Sequence, residues 1–121
     1  MTPHPIAADV LFQYLIGDRE GDLSGFRIGA DGRVERLSRG AWRPDASLDA
    51  ARLARARAAV DAAGLRARPA VYRADPPPDD ATSWSMQARD ATGAVALSGL
   101  GCRPAFVDAM FEQIAPVLRG E

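Results

Sequence analysis

Asp31 followed by Gly32, between short alternating segments at residues 26–28 and 34–37, most constrains how this chain can fold. An Asp-Gly pair between alternating apolar and polar residues is a strong signal for a β-hairpin, because both residues readily adopt the backbone conformations that a tight turn requires. We therefore predict two antiparallel strands here, with Gly32 in the left-handed region of backbone conformation.

The charged side chains decide between two lengths of the hairpin loop. A two-residue loop would set Arg27 opposite Arg36, and like charges directly opposite each other destabilise a pair of strands. A three-residue loop over residues 30–32 instead sets Arg27 opposite Glu35, an attractive pair worth roughly 0.2–1 kcal/mol. The sequence therefore predicts the three-residue loop.

Four further segments have the composition of strands. Residues 10–16 are rich in β-formers and predict a well-buried strand that ends at Gly17. Residues 82–89 alternate between apolar and polar side chains, and residues 94–97 follow a turn, so the two predict a second hairpin. Residues 70–72 predict a short strand.

The spacing of apolar residues predicts two helices. In the first, Ser47 is the expected N-cap, Asp49 lies in the first turn and Gly64 follows the last turn. Its apolar face is rich in alanine, so we expect it to lie close to the sheet. The second helix begins near Pro104, and its apolar residues recur every three or four positions. They are Phe106, Val107, Met110, Phe111, Ile114, Val117 and Leu118.

The order of these elements is strand, hairpin, helix, short strand, hairpin, helix. It predicts a single α+β domain over residues 1–121, with residues 1–8 flexible. We expect two layers: an antiparallel sheet of about five to six strands, and two helices packed on one of its faces.

Reactive side chains are scarce, and this limits the chemistry that the chain can perform. His4 is the only histidine and Cys102 the only cysteine, and all 15 basic residues are arginine. Acid–base and nucleophilic catalysis depend on groups of these kinds, held close together. No Cys/His spacing fits zinc, and the aspartates lack calcium-loop spacing. We predict no catalytic residues, no metal and no cofactor.

Charge and hydropathy exclude two further classes of partner. Arginine outnumbers acidic residues over residues 27–73, but no aromatic residues alternate with the arginines as they do in nucleic-acid-binding surfaces. The apolar run at residues 10–16 is too short for a signal sequence or a membrane span. We expect a cytoplasmic protein that binds neither nucleic acid nor membrane.

Two acidic loops are the candidate binding elements. One covers residues 17–25, and the other covers residues 75–81 and contains three consecutive prolines. Proline stiffens a loop, and a pre-ordered loop loses less entropy on binding. Trp42 and Tyr72 would be anchors if they were exposed. The candidate partner-binding residues are Asp18, Glu20, Asp22, Asp75, Pro77, Asp79 and Asp80.

Residues 78–90, the return strand at residues 93–97 and the helix from Pro104 to Leu118 together resemble the emfourin family. Residues 21–26 also resemble the early glycine-rich loop of that family. Emfourins are small bacterial proteins that inhibit thermolysin-like metalloproteases. The resemblance implies a metalloprotease as the protein partner, and it carries over no inhibitory residue to this chain.

Three hypotheses for the function follow. The first is a non-catalytic protein-binding module, in its sharpest form an inhibitor of a thermolysin-like metalloprotease that binds through the acidic and proline-rich loops. The alternative is a small-ligand-binding or catalytic domain with a pocket between sheet and helices, which requires Cys102, Arg52 and the aspartates to converge. The third is a homo-oligomeric structural subunit.

Overall fold

The computed structural model describes residues 9–18, 22–75, 82–90 and 92–120. The predicted flexible segment, residues 1–8, lies outside these ranges. In chain order the elements are β1 (Val10–Gly17), β2 (Leu23–Gly29), β3 (Arg33–Ser38), β4 (Ala41–Ser47), α1 (Ala50–Ala62), a short 3-10 helix (Leu65–Ala67), β5 (Val71–Arg73), β6 (Ser83–Asp90), β7 (Gly93–Leu100) and α2 (Ala105–Leu118).

The strands form one sheet in the order β4-β3-β2-β1-β6-β7-β5. Every neighbouring pair is antiparallel except β7 and β5, which run parallel. The predicted α+β class is confirmed. The predicted sheet of about five to six antiparallel strands is corrected to seven strands in a mixed sheet. The unpredicted β4 adds a strand at one edge, and the short strand expected at residues 70–72 is present as β5 at the other edge, where it runs parallel to β7.

The β2–β3 hairpin has the predicted three-residue loop. Arg27 lies opposite Glu35, and the Arg27 Nε donates to the Glu35 Oε1 at 2.9 Å. Gly32 has a φ of 92°, in the region that favours glycine. The Gly32 carbonyl accepts a hydrogen bond from the Leu48 N–H at 2.8 Å, which connects the hairpin loop to the start of α1.

The predicted order places the first helix directly after the hairpin, and it is wrong about the segment between them. It forms β4, which pairs with β3 across a register shift beside Val34 and Glu35. Pro44 is tolerated in this strand because β4 is at the edge of the sheet, where one side of the backbone needs no strand partner. Ser47 is therefore the last residue of a strand, and the N-cap of α1 is Asp49, whose Oδ1 accepts from the Arg52 N–H at 2.8 Å.

The first acidic loop is shorter than the predicted residues 17–25. Gly17 is the last residue of β1 and pairs with Leu23, the first residue of β2. Residues 23–25 therefore belong to the sheet, and only residues 18–22 connect the two strands.

Both helices pack on one face of the sheet. Phe12, Met86 and Leu97 from that face are fully buried beside the apolar stripe of α2. The stripe follows the predicted spacing and buries Val107, Met110, Ile114 and Val117. The alanine-rich face of α1 packs mainly on α2 rather than on the sheet. Gly64, with a φ of 60°, follows the end of α1 as predicted.

No helix formed by the described residues is both long and apolar enough to cross a membrane.

An ion pair joins the 3-10 helix to the turn between β6 and β7. Arg66 donates through Nη2 and Nε to the two carboxylate oxygens of Asp90, at 2.9 and 3.1 Å. The Thr92 N–H and Oγ1 also donate to Asp90, at 2.8 and 2.7 Å. Hydrogen bonds from Arg66 and then from Thr92 hold the pKa of Asp90 well below its ordinary value of 3.8.

We predict that Asp90→Asn lowers the urea midpoint of unfolding at pH 7, with a difference from wild type that shrinks as the pH falls below about 4. A carboxylate whose pKa is depressed in the folded state stabilises that state above the unfolded pKa, and this contribution disappears as the pH falls through the folded pKa. Urea titrations from pH 7 to pH 2 measure the difference. Asp61→Asn, an exposed change on α1, is the control, and a difference for Asp90→Asn that does not change with pH would contradict the prediction.

Candidate functional site

The register of the central strands attaches both acidic loops to the same end of the sheet. Gly17, the last residue of β1, lies directly opposite Ser83, the first residue of β6. The β1–β2 loop leaves from Gly17, and the β5–β6 segment arrives at Ser83. We call this end of the sheet, where β1, β5 and β7 finish and β2 and β6 begin, the loop end.

Three of the seven candidate binding residues are described, and all three are exposed at the loop end. Asp18 and Asp22 close the base of the β1–β2 loop: the Asp18 N–H donates to the Asp22 carbonyl at 3.0 Å, and the Asp22 N–H donates to the Asp18 Oδ1 at 2.9 Å. Asp75 follows β5 by two positions. The other four, Glu20, Pro77, Asp79 and Asp80, lie outside the described residues.

A groove lies beside these loops on the face of the sheet that carries no helix. Leu15 opens onto this face, because side chains alternate along a strand and Tyr14 points to the helices. Two rows of paired residues cross the groove from β2 to β5. The first row is Leu23, Gly17, Ser83, Leu100 and Arg73, and the second is Gly25, Leu15, Ser85, Ser98 and Val71. We call it the open-face groove.

Small residues in the middle of both rows make the groove concave. Gly17, Ser83 and Ser85 rise little above the backbone, whereas Leu23 on one side and Val71 on the other stand higher. The groove is mainly apolar, with three serine side chains and one cation, Arg73. This surface can accept the side chains of an extended chain.

Gly99 fixes the layer beneath the groove. It pairs with Trp84 on the helix side of the sheet, and the Trp84 Nε1 donates to the Cys102 carbonyl at 2.8 Å. A Cβ at position 99 would overlap the indole nitrogen of Trp84. Tyr72 stacks on the same indole, with ring centroids 5.9 Å apart. Glycine at position 99 therefore allows these two aromatic rings to pack under the sheet.

Neither of the two candidate anchors, Tyr72 and Trp42, has a fully exposed ring. Tyr72 is half-buried between Trp84 and Phe106 and packs against the core. Trp42, on β4, is half-buried and lies under the Arg27 guanidinium, whose Cζ is 4.1 Å from the ring centroid. Both aromatic residues serve packing.

The β7–α2 loop is held from beneath by side chains. Besides the bond from Trp84 to Cys102, the Arg103 side chain is hydrogen-bonded to Tyr14 and forms an ion pair with Asp108 at 2.9 Å. Burial raises the pKa of Tyr14, and Arg103 opposes part of that rise. The Cys102 side chain is exposed.

The groups required by the ligand-pocket hypothesis do not converge. Cys102 precedes α2, whereas Arg52 donates to the Gly120 carbonyl after the other end of that helix, at 2.8 Å. A helix of 14 residues separates them by about 20 Å. In the described part of the chain, no three His, Cys, Asp or Glu side chains come close enough to hold a metal ion.

The open-face groove could not be found from the sequence. Ser83 and Ser85 are visible there as the polar positions of an alternating strand, but their neighbours Leu15 and Ser98 belong to distant segments. The only usable signal is the set of small residues, Gly17, Ser83 and Ser85, beside the two acidic loops.

The chain matches no protein-family profile, and no curated protein matches it in sequence. The resemblance to emfourins therefore stays a prediction.

We predict that Gly99→Ala destabilises the fold by about 1–3 kcal/mol, the usual cost of overpacking. The added methyl must displace the Trp84 indole and weaken its bond to the Cys102 carbonyl. Urea unfolding measures the loss of stability. Tryptophan fluorescence in a Trp42→Phe background reports the indole of Trp84 alone.

Ser98→Ala is the matched control. Ser98 is next to Gly99 in the chain, but its side chain points into the open-face groove rather than toward Trp84. We expect that variant to unfold within about 0.5 kcal/mol of wild type. Equal stability of the two variants, with unchanged Trp84 fluorescence, would show that the contact at Gly99 is unimportant.

Proposed function

We propose that this chain is a non-catalytic protein-binding module that holds its partner at the loop end of the sheet. The observation that carries the proposal is the opposition of Gly17 and Ser83, which attaches both acidic loops to neighbouring strands. Two loops attached to adjacent strands of one sheet can contact one partner surface together.

The charge of the loop end indicates the kind of partner. Asp18, Asp22 and Asp75 are exposed there, and the undescribed parts of the same loops add Glu20, Asp79 and Asp80 in sequence. A concentration of carboxylates attracts a basic surface and raises the rate of association at low salt. The part of the partner that faces these two loops should therefore carry complementary positive charge.

In its sharpest form, the proposal is inhibition of a thermolysin-like metalloprotease. Two considerations support it. The emfourin resemblance implies this partner, and such enzymes keep one zinc coordination position open for water or substrate, which a carboxylate oxygen can occupy. An acidic loop beside an apolar groove offers a carboxylate and a surface for neighbouring enzyme side chains in one place.

The first test is inhibition of thermolysin by the purified chain in micromolar excess. We expect the initial rate of hydrolysis of a small peptide substrate to fall as the chain is added, and inhibition to weaken as salt is raised, because the loop carboxylates are exposed. An unchanged rate at that excess would remove the inhibitor form of the proposal.

The second test asks whether the loop end carries the binding. Asp22 uses its backbone rather than its carboxylate to close the β1–β2 loop, and Asp75 lies beyond β5, so both can be changed with little effect on the fold. We expect the double variant Asp22→Asn, Asp75→Asn to weaken partner binding at least about tenfold.

Asp61→Asn is the matched control, since Asp61 is equally exposed but lies at the far end of the molecule, beside Ala30 and Asp90. If thermolysin is inhibited, the inhibition constants of the variants measure the effect. If it is not, the effect is measured as the yield of partner that each variant captures from native lysate. Equal binding by the double variant and the control would contradict the proposal that the loop end is the binding site.

A further inference from the structure

The two edges of the sheet differ in how far they are protected. At one edge, β4 contains Pro44 within the strand, and its pairing with β3 is interrupted by a register shift. Proline and irregular pairing both block the addition of another strand. At the other edge, β5 is regular and has no proline within Val71–Arg73. It is the edge of the sheet that can accept a further strand.

The backbone of β5 presents hydrogen-bonding groups on its outer side. The Ser98 N–H donates to the Ala70 carbonyl at 2.8 Å, and the Ala74 N–H donates to the Leu100 carbonyl at 3.1 Å. These bonds direct residues 70, 72 and 74 toward β7. Because the direction alternates along a strand, the N–H and C=O groups of Val71 and Arg73 point away from the sheet.

The side chains of the same two residues line the open-face groove. Val71 is 59% exposed, the more exposed of the two large hydrophobic residues that stand out on the described surface. Arg73 is exposed as well, and no carboxylate among the described residues forms an ion pair with it. The outer edge of β5 therefore offers backbone groups, an apolar contact and an unmatched positive charge together.

We infer that the outer edge of β5 binds an extended segment of the protein partner as an eighth strand. The segment runs antiparallel to β5, the more stable arrangement per residue. An acidic side chain lies opposite Arg73, and an apolar side chain two positions later lies opposite Val71, over the groove. Strand addition of this kind takes affinity from the backbone and specificity from alternate side chains.

This inference rests on the proposed function, because it names the part of the partner that the module holds. Residue Pro69 precedes β5, and prolines 76–78 follow it in sequence, so pairing is confined to a few residues. The edge is thus suited to a short segment of a partner rather than to open-ended polymerisation.

The test uses a capped peptide, Thr-Thr-Glu-Thr-Val-Thr-Thr, and its counterpart with Lys in place of Glu. Amide hydrogen exchange of the full chain is measured by NMR with and without peptide. We expect saturating Glu peptide to slow exchange at Val71 and Arg73 about tenfold or more, and to leave Tyr72, already bonded toward β7, unchanged.

Variants at the edge separate backbone pairing from side-chain contact. Val71→Pro removes an N–H that points outward, so pairing with β7 is retained, whereas Val71→Thr keeps both the N–H and the β-branched shape. Fluorescence anisotropy of labelled peptide should show affinity for Val71→Pro at least about tenfold below that for Val71→Thr. In Arg73→Glu the preference should reverse, and the Lys peptide should bind more tightly than the Glu peptide.

Three results would overturn the inference: no change in exchange at Val71 and Arg73, equal peptide affinity for the proline and threonine variants, or a wild-type dimer in light scattering that Val71→Pro dissociates. The last would assign the edge to a second copy of this chain.

If Val71→Pro binds the partner normally while the double variant Asp22→Asn, Asp75→Asn does not, strand addition fails and the proposed function survives. If the peptide protects β5 but the loop variant binds the partner normally, the proposed function fails.

Discussion

The pairing of β1 with both β2 and β6 is the constraint on which the rest of the structure depends. β1 lies in the middle of the sheet, and seven of its eight residues are buried. Phe12 and Tyr14 on one side meet the apolar stripe of α2, and Leu15 on the other side forms the floor of the groove. The same strand therefore joins the core to the surface that we assign to binding, and its C-terminal end at Gly17 sets the position of the first acidic loop.

The features that the sequence predicted well are those decided by neighbours along the chain. The register of Arg27 with Glu35 follows from charges eight residues apart, and the stripe of α2 and the left-handed Gly64 follow from local periodicity and capping. β4 was missed because Pro44 reads as a strand breaker, and only the edge position of the strand makes proline acceptable there. The parallel pairing of β5 was missed because its partner, β7, lies across an intervening strand in sequence.

The candidate site depends on pairings between residues that are distant in the sequence. The acidic loops were visible as composition, but their shared location depends on a pairing between residues 17 and 83, and the groove depends on five strands in register. The scarcity of reactive side chains favours binding over catalysis as the function. The structure adds a surface, the loop end with the open-face groove, whose charge and apolar character suit a protein partner. Carboxylates at the loop end, an apolar floor and an open strand edge lie next to one another, so one partner protein can contact all three.

A buried pair of amides fixes this arrangement. Gln13 and Gln87 lie opposite each other on the helix-free face, are 5% and 4% exposed, and are joined by a hydrogen bond of 3.2 Å from Gln13 Nε2 to Gln87 Oε1. A slip of one residue between β1 and β6 would turn one member of the pair into the apolar core, where a buried amide without its partner costs about 1–3 kcal/mol. The same slip would move Ser83 and Ser85 out of the groove and separate the roots of the two loops. The amide pair thus specifies the register on which the loop end, the groove and the β5 edge together depend.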